Sequence, residues 1–187
     1  MDINAKIESL KLVPVVVLED AKDALPLAKA LIDGGLPVAE VTFRTAAAAD
    51  SIRAISEAYP EMLVGAGTVV NVEQAKTAVA AGAKFLVTPG FSDEVTRYAV
   101  ENDIPIFPGT CTPTEVMQAM SYGLKVVKFF PASQYGGLNT IKALAGPFSA
   151  MRFMPTGGIN AADPIAAYAG SVNSVMYCYY PDRLSNL

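Results

Sequence analysis

The chain has 187 residues, of which 52% are hydrophobic and 17% charged, with a net charge of −4. That length and balance suit one globular domain with a sizeable core, and the absence of a basic block excludes nucleic acid as a partner. The longest apolar runs, such as Leu12–Leu18, are far too short to span a bilayer, and Met1-Asp2-Ile3-Asn4 lacks the start of a secretory signal, so a cytoplasmic protein is expected.

Short apolar strands alternate with amphipathic stretches along the whole chain. The predicted strands are Leu12–Leu18, Val38–Phe43, Leu63–Gly67, Phe85–Thr88, Ile104–Phe107, Val126–Phe130, Arg152–Pro155 and Ser174–Tyr179. Helix signals fill the gaps. Asp20 is placed to cap a helix ending at Gly34-Gly35, and Thr45 precedes a helical stretch, Ala46–Tyr59, that stops at Pro60. Asn71, Ser92 and Asn160 are further caps, and Thr112-Pro113-Thr114-Glu115 spells a capping box with proline at the first helical position. No linker or low-complexity stretch divides residues 1–187, so a single domain is expected.

Eight strands separated by helical stretches indicate a (β/α)₈ TIM barrel, the fold whose active sites lie at the C-terminal ends of the strands. The unusual residues fall at those ends. Strand two carries Glu40-Val41-Thr42-Phe43-Arg44-Thr45, and strand three ends in Gly65-Ala66-Gly67-Thr68. Strand four ends in Thr88-Pro89-Gly90, and strand five in Pro108-Gly109-Thr110. Strand six holds Lys128 and Phe130, and strand seven ends in Pro155-Thr156-Gly157-Gly158-Ile159-Asn160.

The chain contains no histidine, which removes the commonest general base, the Ser-His and Cys-His pairs and most zinc sites. Cys111 and Cys178 fit no metal spacing and no disulfide framework. Neither a metal nor a cofactor is implied, and chemistry falls to carboxylate, lysine, hydroxyl or backbone groups. Lys128 is the leading candidate, because it interrupts the apolar run Val126-Val127-Lys128-Phe129-Phe130. An ammonium is costly to desolvate there, and a lysine that sheds its proton becomes a nucleophile toward carbonyl carbon. The competing reading is a lysine at a strand end with its head in water. Strand alternation puts Glu40, Thr42 and Arg44 on one face, and Lys128 with Phe130 on another. If both faces point inward, amine, carboxylate and guanidinium meet in one pocket, as a Schiff-base enzyme acting on a keto acid requires; otherwise Glu40 and Arg44 form a structural ion pair at the barrel mouth. Gly65 and Gly67 leave room for a ligand to approach the backbone beside the Thr68 hydroxyl, or simply make a turn. Thr156, Gly157 and Gly158 lead into a helix where barrels bind phosphate, with a plain turn as the alternative. Pro89 and Phe130 are placed to wall the pocket.

Taken together, Glu-Val-Thr-Phe-Arg-Thr at 40–45, Gly-Ala-Gly-Thr at 65–68, Thr-Pro-Gly at 88–90, Val-Lys-Phe-Phe-Pro-Ala at 127–132 and Pro-Thr-Gly-Gly-Ile at 155–159 resemble the class I 2-keto-3-deoxy-6-phosphogluconate (KDPG) and 4-hydroxy-2-oxoglutarate (KHG) aldolases. The resemblance implies cleavage of KDPG to pyruvate and glyceraldehyde 3-phosphate, with cleavage of 4-hydroxy-2-oxoglutarate as the alternative. It implies that Lys128 forms an imine with pyruvate, Glu40 moves protons, Arg44 and Thr68 hold the pyruvyl carboxylate, Pro89 and Phe130 line the site, and Thr156, Gly157 and Gly158 hold phosphate. It also implies a metal-free homotrimer. After about residue 176 the chain departs from the family pattern: Tyr177-Cys178-Tyr179-Tyr180 stands where Gly-Gly-Ser-Trp is usual, and no eighth helix follows before Leu187. A barrel lacking its last helix is therefore expected. A catalytically impaired barrel with a structural or ligand-binding role is the reading in which that loss dominates. Ile3, Ile7 and Leu10 recur at helical spacing and offer one candidate cover for the gap, a neighbouring subunit being the other.

Overall fold

The computed structural model describes residues 3–159 and the backbone of 177–179. Its strands are β1 (Leu12–Val16), β2 (Val38–Thr42), β3 (Leu63–Gly67), β4 (Leu86–Val87), β5 (Ile106–Phe107), β6 (Gly109–Thr110), β7 (Val126–Phe129), β8 (Arg152–Pro155) and β9 (Tyr177–Tyr179). All pair in parallel, in the orders β5-β4-β3-β2-β1-β9 and β6-β7-β8, and β9 also lies against β8. β5 and β6 are two pieces of one barrel strand. Pro108, between them, has no N–H to give the ladder, so the strand is interrupted there and resumed after the proline; the expected strand Ile104–Phe107 pairs only from Ile106. The ring therefore has the eight positions of a (β/α)₈ barrel.

The helices are α1 (Ile3–Leu10), α2 (Ala24–Asp33), α3 (Ala48–Ala58), α4 (Val72–Ala80), α5 (Asp93–Glu101), α6 (Pro113–Ser121) and α7 (Gly137–Ala145). Asn71 and Ser92 cap α4 and α5 as expected, and Thr112 with Glu115 forms the capping box of α6. Two predicted caps behave differently. Asp20 accepts from the Lys22 N–H and caps a short 3₁₀ turn ahead of α2. The Thr45 hydroxyl donates to the Leu18 carbonyl at 2.6 Å, tying strand end to strand end, and α3 starts only at Ala48 without a side-chain cap. Asn160 and, beyond the backbone of 177–179, the altered tail lie outside the described residues. Among the described residues no helix is long and apolar enough to cross a membrane.

Strand alternation sorts the core into two layers. Outward-facing Ala39, Val41, Val64, Ala66 and Leu86 pack with Ala28, Ile52, Ile55, Ala75 and Ala78 of the helices. Val127, Phe129 and Phe153 do the same with Val116, Ala119, Ile141 and Leu144. Inward-facing Val13, Val15, Val38, Leu63, Phe85, Val87, Phe107, Val126 and Met154 fill the barrel. Phe85 and Phe107 meet edge to face, with ring centroids 5.8 Å apart.

Ile7 of α1 belongs to this inner layer and is 1% exposed. The buried face of α1 thus plugs the barrel interior, rather than covering the place of an eighth helix. Glu8 adds an ion pair with Arg152 at the start of β8. Burying the Ile7 side chain contributes about 1.5–3 kcal/mol.

Candidate active site

Glu40 is wholly buried in β2, in register between Val15 and Gly65. Its inward direction follows from the outward burial of Ala39 and Val41. A Cβ on Gly67 would overlap the Glu40 carboxylate, and one on Gly65 would overlap the Phe85 ring. Those glycines therefore make room for an acid and a core aromatic, not for an approaching ligand as the sequence suggested.

Lys128 lies in β7 between Gly109 and Met154 and is 4% exposed. The reading of a strand-end lysine with its head in water does not hold. Its Nζ stands 3.7 Å from Glu40 Oε1, across the barrel, and 5.0 Å from the centroid of the Phe130 ring. A buried ion pair is weak support for stability, because desolvation offsets the attraction. Its chemical value is different. Moving one proton from the ammonium to the carboxylate leaves the pair neutral overall, so a free amine forms without adding net charge to the interior.

Beyond the end of β2, the Arg44 Nε–H donates to Thr68 Oγ1 at 3.2 Å. Arg44 is exposed and Thr68 half-buried, so the pair faces the mouth. Thr68 has φ of 55°, a left-handed backbone that is unfavourable for a β-branched residue by about 1–3 kcal/mol and recurs at ligand clamps.

Two further strand ends complete the mouth. The half-buried Pro89 follows Thr88, and its carbonyl packs so closely on Gly109 that a Cβ there would overlap it. Gly157 and Gly158 have φ of 94° and 73°. A Cβ on Gly157 would sit 3.3 Å from the Phe130 ring, and one on Gly158 would overlap the Ser133 hydroxyl. Both the backbone and the space therefore call for glycine. The Gly157 carbonyl accepts from the Ser133 N–H at 3.1 Å, and the Thr156 carbonyl from the Ala132 N–H at 2.7 Å. The Thr156 side chain is buried and its hydroxyl turns back toward the Met154 carbonyl at 3.5 Å. Lys128, Glu40, Phe130 and Gly157 thus form one contiguous path, and Gly67 links Glu40 to the Arg44–Thr68 pair.

The family model for KDPG and KHG aldolases matches residues 3–178. A 2-dehydro-3-deoxy-phosphogluconate aldolase of Treponema pallidum is 50% identical over 154 residues, covering 82% of this chain and 73% of the relative. A KHG/KDPG aldolase of Escherichia coli strain K12 is 50% identical over 151 residues, covering 81% and 71%. The chain belongs to this family. It is an aldolase, a carbon–carbon lyase. The fold of a Legionella pneumophila KDPG aldolase, with pyruvate captured at low pH as a covalent carbinolamine intermediate, superposes with a TM-score of 0.91 at 36% identity, covering 95% of this chain and 86% of that one.

In this aldolase Ser133, which shapes the Gly157-Gly158 turn, was not singled out from the sequence, and Thr88 and Thr110, named only as strand-end residues, have hydroxyls that bond backbone groups around Lys128. The Thr88 hydroxyl donates to the Gly90 carbonyl at 2.7 Å and accepts from the Gly109 N–H at 3.2 Å, and the Thr110 hydroxyl donates to the Lys128 carbonyl at 3.2 Å. Buried hydroxyls at strand ends were the available signal, since each needs a partner.

Proposed function

We propose that this aldolase cleaves KDPG to pyruvate and glyceraldehyde 3-phosphate through an imine on Lys128. The observation that carries the assignment of roles is the buried Lys128–Glu40 pair, 3.7 Å apart, at the C-terminal mouth of the barrel. The Lys128 amine attacks the C2 carbonyl, and Glu40 returns a proton as the carbinolamine loses water to become an iminium. Glu40 then takes the proton of the C4 hydroxyl. The C3–C4 bond breaks, its electrons form the enamine, and the aldehyde departs. Protonation at C3 and attack by water release pyruvate and restore the free amine. Arg44 and Thr68 receive the substrate carboxylate at the mouth, where a guanidinium forms paired hydrogen bonds. Pro89 and Phe130 form the walls, and the open Gly157-Gly158 turn with Thr156 takes the phosphate end.

The carbinolamine captured in the Legionella protein supports this chemistry, and the relatives' names support the substrate. The KHG/KDPG naming of the Escherichia coli relative supports a second activity on 4-hydroxy-2-oxoglutarate, which shares the pyruvyl half and lacks phosphate. A homotrimer in the cytoplasm completes the reading, and sedimentation of the purified chain tests the assembly. Turnover on the two substrates tests the function. Higher kcat/KM for KDPG is expected, undiminished by chelators; cleavage of neither substrate would refute it.

A further inference from the structure

We propose that Thr88 and Thr110 are positioning residues that fix the backbone of Lys128 for imine formation; this rests on Lys128 being the reacting amine. Both threonines are buried, at 1% and 2% exposure, so their hydroxyls must be satisfied within the protein. Each bonds to backbone on another strand. Thr88 joins the turn after β4 to Gly109, the register partner of Lys128. Thr110 donates to the Lys128 carbonyl itself. The Lys128 N–H donates to the Pro108 carbonyl at 2.9 Å. Residues 108, 109 and 110 therefore all bear on one lysine.

The reason for such support lies in the neighbouring strand. Pro108 breaks it into β5 and β6, two residues each, so the ladder beside Lys128 is short. There the Thr88 hydroxyl takes up the Gly109 N–H, and the Thr110 hydroxyl adds a bond to the Lys128 carbonyl beside the pairing of Gly109 with Lys128. Placement matters here because Nζ–Oε1 is 3.7 Å, longer than the ~2.6–3.2 Å that proton transfer needs. A shift of ~1 Å in the wrong direction costs on the order of 10²-fold in rate.

The test is the rate of borohydride trapping with pyruvate, located by peptide mapping, together with kcat and KM and with folding checked by circular dichroism. Thr88→Val and Thr110→Val keep the shape and remove the hydroxyl. They are expected to trap at Lys128 roughly 10–100-fold more slowly, with kcat falling much more than KM. Thr88→Ser and Thr110→Ser should recover most of the rate. Wild-type trapping in the valine variants, or serine variants as slow as valine, would overturn the proposal. Should a valine variant not fold, the alanine variant at that position gives the same readout, and its trapping at the wild-type rate would be equally decisive. The wild-type arm is read separately: an adduct absent from Lys128 there refutes the imine assignment itself.

Discussion

At the N-terminal end of the barrel, inward-facing Val13, Val38, Leu63 and Val126 close around Ile7. Two residues further along β2 and β7 the same faces present Glu40 and Lys128. Backbone geometry is the same at both levels, and only the side chains differ. The lower layer gains stability by burying hydrocarbon. The upper layer buries a charge pair whose desolvation cancels much of its attraction, and in the proposed mechanism that pair supplies the reactivity. In that mechanism a single turn of the strand pleat separates the barrel's stability from its chemistry.

Substitutions at the two levels should have different signatures. Lys128→Arg has the largest expected effect: a guanidinium cannot form the imine, so turnover should vanish while the barrel remains folded. Residual turnover above the uncatalysed rate would point to another nucleophile. Glu40→Gln keeps the shape but cannot move protons, and turnover should fall by roughly 10²–10⁴. Wild-type turnover in that variant would reassign the shuttle to water or another group. Ile7→Ala acts on the other level. It should cost about 2–5 kcal/mol of stability in denaturant unfolding, yet leave kcat and KM unchanged well below the melting temperature. A large change in kcat would show that the two ends are coupled.

The smallest effect lies at α6, just after β6. Thr112→Ala removes its cap and should cost about 0.5–2 kcal/mol. Glu115 adds a pH dependence. Burial pushes its carboxyl up, but hydrogen bonds from the Cys111 and Thr112 N–H groups and the Thr112 hydroxyl outweigh that and hold it below its ordinary 4.5. A depressed carboxyl gives stability that is complete above its ordinary value and is lost as pH falls through the folded one. Glu115→Gln should therefore reduce the loss of stability on acidification below 4.5, as measured by thermal melts across that range.

Much of this was legible in the sequence because alternation and capping are local. The period of two put Glu40 on the face opposite Val41 and Lys128 on the face opposite Val127 and Phe129, though which face points inward came only with the closed barrel, and Thr112–Glu115 announced the start of α6. Contacts between distant strands were not legible. Nothing local told that Gly67 clears space for Glu40, that Thr45 bonds Leu18 instead of capping α3, or that the Thr88 and Thr110 hydroxyls converge on Lys128. Amphipathic spacing in α1 showed that it had a buried face, but the surface receiving that face emerged only with the barrel closed around Ile7.

The most direct test of the reactive layer is mass spectrometry of the wild-type protein after borohydride reduction with pyruvate. One reduced pyruvyl adduct per chain is expected, mapped to the peptide containing Lys128, and none without pyruvate. Adducts spread over Lys84, Lys125 and other exposed or half-buried lysines, with Lys128 unmodified, would contradict it.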